Sequence, residues 1–93
     1  MKFRLEKATD GKHKWVGVFD DEKRVPFGAV GYSDYTIHHD KLRRERYLTR
    51  HRRNETWSNP QTAGSLSRYI LWGDSTSIDA NVRAFRRRFS LSP

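Results

Sequence analysis

The sequence predicts a single α+β domain, a three-stranded antiparallel meander followed by three helices. Two changes of pattern along the chain point to it. Residues 1–31 alternate apolar and polar positions with a period of two, broken by Asp- and Gly-containing turns. Residues 32–93 show capping residues followed by stretches of helical period, and they hold most of the positive charge. A chain of 93 residues has room for one core. Its apolar fraction of 34% and mean hydropathy of −0.98 are low, but three Trp, four Tyr and five Phe can supply that core.

In the first strand, "KFRLEKA", Phe3 and Leu5 share one face and Lys2, Arg4 and Glu6 the other. Asp10-Gly11 supplies the positive φ of a tight hairpin turn. "KWVGVF" returns as the second strand, with Trp15 and Phe19 facing one way and Val16 and Val18 the other. After the acidic turn "DDEK", "RVPFGAV" forms the third strand. Pro26 places it at an edge, because proline donates no ladder hydrogen bond. An edge left open also offers a route to a homodimer.

Asp40 caps the first predicted helix, which runs through "KLRRERYLTRHRR" to about Arg53. Asn59 followed by Pro60 predicts the start of a second helix through "PQTAGSLSRYILW", ended by Gly73. Trp57 is expected to staple its start, and Leu66, Tyr69, Ile70 and Trp72 to fill the core. Ser75 or Ser77 caps a third helix, whose Ile78, Val82, Phe85 and Phe89 recur on one face. Asp79 in its first turn and Arg86, Arg87 and Arg88 in its last suit the helix dipole.

The stretch from Lys41 to Arg53 carries seven Lys or Arg against Glu45 alone, in a chain of net charge +8. On a helix, Arg43, Arg46, Arg50 and Arg53 form a continuous ridge, with Lys41, Arg44 and Arg52 extending the charge around it. Like charges at this spacing oppose helix formation by a few tenths of a kcal/mol per pair, so the pattern implies an anionic counterpart. A solvated face that keeps the protein soluble is the ordinary explanation of a charge run. Two features favour polyanion binding instead. Arginine, the side chain suited to bidentate phosphate contact, outnumbers lysine six to one in the run. A second cluster, Arg83 with Arg86, Arg87 and Arg88, is expected on the last helix opposite its apolar face. No zinc-finger spacing, recognition-helix turn or aromatic RNA-binding signature accompanies them, so sequence-independent contact with double-stranded DNA is expected.

The pieces Tyr35-Thr36 with His38 and Asp40, Arg46-Tyr47, Arg50-His51, Asn54-Glu55 with Trp57, Pro60, Thr62-Ala63-Gly64, Ser67-Arg68 and Leu71-Trp72 carry a resemblance. Over roughly residues 31–89 the chain resembles a family of short basic uncharacterised proteins of nucleocytoplasmic large DNA viruses, marseilleviruses and chloroviruses among them. The resemblance implies a viral protein carried in the virion, without an established enzymatic activity, and it supplies no catalytic residue. Its expected places are the virion and the host cytoplasm, with nuclear import compatible with "RRERYLTRHRR". Its expected partners are the viral genome and virion proteins.

Catalysis and metal binding are not expected. There is no cysteine. His38 and His39 are adjacent and point apart, and no His-x3-His pair exists to hold zinc from a helix. The acids Asp20, Asp21 and Glu22 sit in one turn rather than around a divalent ion. No cofactor is implied. Neither a membrane span nor the apolar core of a signal peptide is present, so an intracellular or packaged soluble protein is expected. The function expected is therefore a non-catalytic DNA-binding protein that packages or organises a viral genome. A minor capsid or cement protein and an RNA-binding module are the alternatives.

Overall fold

A computed structural model describes residues 1–93. Strands β1 (Phe3–Lys7), β2 (His13–Phe19) and β3 (Lys23–Ala29) form one antiparallel sheet in the order β1-β2-β3. The register pairs Phe3 with Phe19 and Trp15 with Phe27, which puts the large aromatics on a single face. Helical segments cover that face. Leu66, Ile70, Leu71, Val82 and Phe85 join Phe3, Phe19 and Phe27 in the core. Gly17 permits the close approach, since a Cβ there would meet Leu66 and Phe3 at 3.0 Å.

Val16 and Val18 are buried too, although they face away from the helices. Val18, only 1% exposed, lies between Arg4 and Arg24 as its partners on the flanking strands. Glu6 accepts from Arg4 Nε at 2.8 Å and from Arg24 Nη2 at 3.0 Å. This bridge spans β2 and holds the aliphatic stems of both arginines over the valines. The arginine hydrogen bonds, that of Arg4 foremost, hold the Glu6 carboxyl below its ordinary range.

The two turns differ. Asp20 and Asp21 both take positive φ, and Glu22 N–H donates to Phe19 O at 3.0 Å. Aspartate tolerates this left-handed geometry, which matches the twist of the strands. The predicted two-residue turn at Asp10-Gly11 is instead a wider loop from Lys7 to His13. There the Asp10 side chain accepts from the N–H groups of Lys12 and His13, at 2.8 and 2.9 Å. Local side-chain bonding thus replaces the tight turn.

Pro26 does lie on an edge strand. The other edge is partly occupied, because Phe3 N–H donates to Ser92 O and Ser92 N–H to Met1 O. The strand-edge route to a dimer is narrowed to β3.

Four helices follow rather than three. Helix α1 (Tyr35–His38) is a single turn capped by Asp34 and closed by His39 at φ 56°. Helix α2 (Lys41–Arg52) begins at Asp40, whose carboxylate accepts from Leu42 and Arg43 N–H. Helix α3 (Ala63–Leu66) runs directly into a π-helical turn, Ser67–Leu71, and α4 spans Ile78–Phe89. The predicted start at Asn59-Pro60 is displaced. Asn59 caps a local turn by accepting from Gln61 N–H, and Thr62 is the true N-cap. Asn-Pro supports a turn as readily as a helix start.

Ser77 caps α4, and its apolar face meets the core as predicted. Gly73 serves contact rather than termination: a Cβ there would lie 2.4 Å from Tyr69 O and 2.7 Å from Asn81 Cγ. Asn81 is buried, and its amide donates to Ile70 O and Ser75 O and accepts from Ser75 N–H. One side chain therefore ties the end of the π-helical turn to α4.

Candidate functional site

Helix α2 buries only Tyr47 and Leu48, while Leu42 is exposed. So small an apolar contact needs a supplement, and Arg44 provides it. Its Nε donates to Trp72 O and Gly73 O at 3.1 and 2.8 Å, and Nη2 meets Asp74 Oδ1 at 2.8 Å. The guanidinium also lies 5.6 Å from the Tyr35 ring. Arg44 stands three and four residues before Tyr47 and Leu48, hence on their face. It is an anchor, whereas the sequence suggested an extension of the exposed charge.

Four rings continue that contact as a ladder. Trp72 stacks on Tyr47 with centroids 4.1 Å apart and planes 3° from parallel; Tyr47 then meets His51 at 4.2 Å, and Trp72 meets His38 at 5.3 Å. The π-helical turn delivers Trp72 to this place, its N–H donating five residues back to Ser67 O. Burial, with the Glu55 charge second, pushes the Tyr47 hydroxyl up to about 12. His51 Nδ1 is 3.3 Å from Glu55 Oε1, and Glu55 Oε2 accepts from Trp57 Nε1 at 2.8 Å. Trp57 does not staple α3; its ring lies 5.2 Å from the Arg68 guanidinium.

With one face of α2 so anchored, Arg43, Arg46, Arg50, Arg52, Arg53 and Lys41 point to solvent. None of them takes part in any of the seven ion pairs of the protein, nor does Glu45. Arg43, Arg46 and Arg50 line an open cleft of about 670 Å³ together with Tyr47, Leu71, Trp72, Ala29 and Tyr32. Tyr32 is 73% exposed. Lys14 also reaches the cleft, but its Nζ is held at 2.8 Å by the buried carboxylate of Asp34.

The second cluster divides. Arg83, Arg87 and Arg88 are exposed. Arg86 is half-buried and donates from Nε to Phe3 O at 3.0 Å, and Arg88 lies over the Tyr69 ring at 4.5 Å. Arg86 and Arg88 thus straddle the apolar face of α4 rather than opposing it. Arg68, which the sequence places in the predicted second helix, lies between the clusters. The one signal for it was an arginine directly before the apolar run "YILW".

His38 and His39 bond locally. Asp40 N–H donates to His38 Nδ1 at 2.9 Å, and His39 Nε2 lies 3.1 Å from Thr36 O. No group of three or more His, Asp or Glu side chains is placed to hold a metal ion. No helix is long and apolar enough to cross a membrane.

The profile of one protein family, described as a family of unknown function, DUF5754, matches residues 3–51, just over half of the chain. The chain belongs to DUF5754. The DUF5754 match takes in the whole sheet, α1 and nearly all of α2, including Arg43, Arg46 and Arg50. It thus includes the meander, which the resemblance to the viral proteins left out. It ends before Arg68 and α4. No curated protein matches the chain, and no solved structure does.

Proposed function

We propose that this chain is a non-catalytic, sequence-independent binder of duplex DNA, and that it organises or packages the genome of a large DNA virus. The observation that carries the reading is the solvent face of α2, where Arg43, Arg46, Arg50 and Arg53 are exposed and lack carboxylate partners. Unpaired guanidiniums in a row can each displace a condensed counterion from DNA, which supplies affinity without reading bases. The viral setting rests on the resemblance described for residues 31–89.

Binding to random-sequence duplex DNA across roughly 50–300 mM salt tests the reading. Replacing Arg43, Arg46, Arg50 and Arg53 by Gln should lower the slope of log K on log salt by about 0.9 for each phosphate no longer neutralised. Absence of wild-type binding near 100 mM salt would sink the proposal and turn the arginines toward protein partners. The exposed Tyr32, in the same cleft as Arg43, Arg46 and Arg50, favours one second reading, single-stranded nucleic acid with a base on that ring. Competition of a single strand against duplex separates the two.

A further inference from the structure

Arg68 sits in the π-helical turn with its guanidinium 5.2 Å from the Trp57 ring and 4.9 Å from the Tyr69 ring. Its Nη1 donates to Trp72 O at 3.2 Å, the carbonyl that also accepts from Arg44 Nε at 3.1 Å. Two cations therefore converge on a single neutral oxygen. Arg88 adds a third, against the same Tyr69 ring. The nearby acid is Asp74, already bound to Arg44 and 94% exposed.

Arg68 is half-buried and has no carboxylate of its own, and its Nε is sealed from solvent without a partner. Burial, followed by the charge of Arg44, lowers its pKa, so the site works against its own cation. Such an arrangement is stabilised by an anion that enters and accepts from the guanidiniums. A place for one exists: a cavity of about 420 Å³ lined by Arg68, Arg87, Arg88, Gly73 and Asp74. Arg68 Nη2 makes no hydrogen bond to protein and, unlike Nε, is not sealed.

We infer that this cavity between the π-helical turn and α4 is a binding site for a phosphate group, held by Arg68 with Arg87 and Arg88. The Trp57 and Tyr69 rings beside Arg68, with its bond to Trp72 O, restrict its planar fork in advance, which reduces the ordering cost of contact with an anion. Several guanidiniums against one occupied carboxylate favour the multiply charged phosphate over a carboxylate ligand. The site does not depend on the DNA reading. Its phosphate can come from a nucleic-acid backbone or from a free phosphate or phosphate monoester.

The test follows the arginine Nε–H resonances of isotope-labelled full-length protein as inorganic phosphate replaces chloride at constant ionic strength. The Arg68 and Arg88 resonances should shift and saturate, while those of Arg24 and Arg83 should not. Arg88→Gln should weaken the apparent affinity about tenfold, in line with the removal of one charge-assisted bond. Arg87→Gln provides a second variant at an exposed position, so the test does not hang on a substitution of Arg68 itself. Arginine resonances that drift together without saturating would overturn the site, as would unchanged affinity in both variants. Equal saturation by acetate would overturn phosphate as the ligand. A short random-sequence duplex is then added. If it moves the Arg68 resonance and excess phosphate reverses the shift, the backbone is the source. If it binds without moving Arg68, the source is free phosphate or a monoester. If the duplex does not bind at all, the DNA reading fails while a saturating phosphate response still upholds the site.

Discussion

The outer face of the sheet and the outer face of α2 are both rich in arginine, and they treat it in opposite ways. On the sheet, Arg4 and Arg24 share Glu6, Arg4 also meets Asp21, and the cluster shields Val16 and Val18. On α2, the arginines of the ridge form no ion pair, and neither does Glu45, although it lines the same surface as Arg46 and Arg50. Composition does not separate these regions. Pairing does, because a satisfied guanidinium contributes to the fold whereas a bare one has its bonds to make elsewhere. Arg44 crosses the boundary: it belongs to the basic helix in sequence and to the paired class in structure.

The largest effect expected from this contrast is on DNA affinity. Changing Arg43, Arg46, Arg50 and Arg53 to Gln should reduce affinity at 0.1 M salt by about a thousandfold, if each arginine contributes about 0.9 to the slope. Arg4→Gln with Arg24→Gln should leave both affinity and slope near the wild type. Equal losses in the two variants, measured by anisotropy titration, would break the comparison and leave net charge as the only determinant.

Next in size is the joint that sets the π-helical turn against α4. Gly73→Ala forces a Cβ against Tyr69 O and Asn81. Backbone cannot yield as a flexible side chain can, so a loss of about 3 kcal/mol in denaturant unfolding is expected. Asn81→Ala removes three hydrogen bonds and strands the Ile70 and Ser75 groups, for a loss of about 2–4 kcal/mol. Wild-type stability in either variant would mean that the joint does not hold the π-helical turn to α4.

Arg44 and Arg46 sharpen the contrast inside one helix. Arg44→Gln gives up bonds to Trp72 O, Gly73 O and Asp74 and should cost about 1–2 kcal/mol of stability, with the salt slope retained. Arg46→Gln should do the reverse, leaving stability unchanged and lowering the slope by about 0.9. Urea unfolding and salt titration of the two proteins give the four numbers needed. A slope loss for Arg44→Gln equal to that for Arg46→Gln would return Arg44 to the ridge.

The sheet was readable because its period of two repeats in each strand and Pro26 marks an edge. Helix α4 was readable because its apolar spacing and its serine cap agree. The ridge was readable as charge, yet its division into anchor and surface was not. Arg44 lies in phase with Tyr47 and Leu48, but so few apolar neighbours hid the buried face. The π-helical turn has no sequence signature of its own, so the positions of Trp72 and Arg68 followed only from tertiary contacts. Asn59-Pro60 misled because a local side-chain bond can stabilise a turn where a helix was expected.

The smallest effect expected links the ridge to pH through His38. The half-buried ring accepts from Asp40 N–H at Nδ1, while Nε2 is sealed without a partner beside Trp72. Burial first, and the charge of Arg43 second, push its pKa below the ordinary 6.5. The folded state therefore favours the neutral ring, and the unfolded chain takes up the proton more readily. The resulting stability is complete above pH 6.5 and is lost as pH falls from there through the folded pKa. Asp10, held below the usual carboxylate range by His13, acts only in a more acidic window, below 3.8. Melting from about pH 7.5 to about pH 5.5 should show a decline that His38→Gln flattens. Duplex DNA bound on the ridge would partly neutralise Arg43 and should lessen the decline in the wild type, leaving the part that burial causes. A decline wholly unchanged at saturating DNA would place the bound duplex away from Arg43, and the bare ridge would then lose its claim to the DNA.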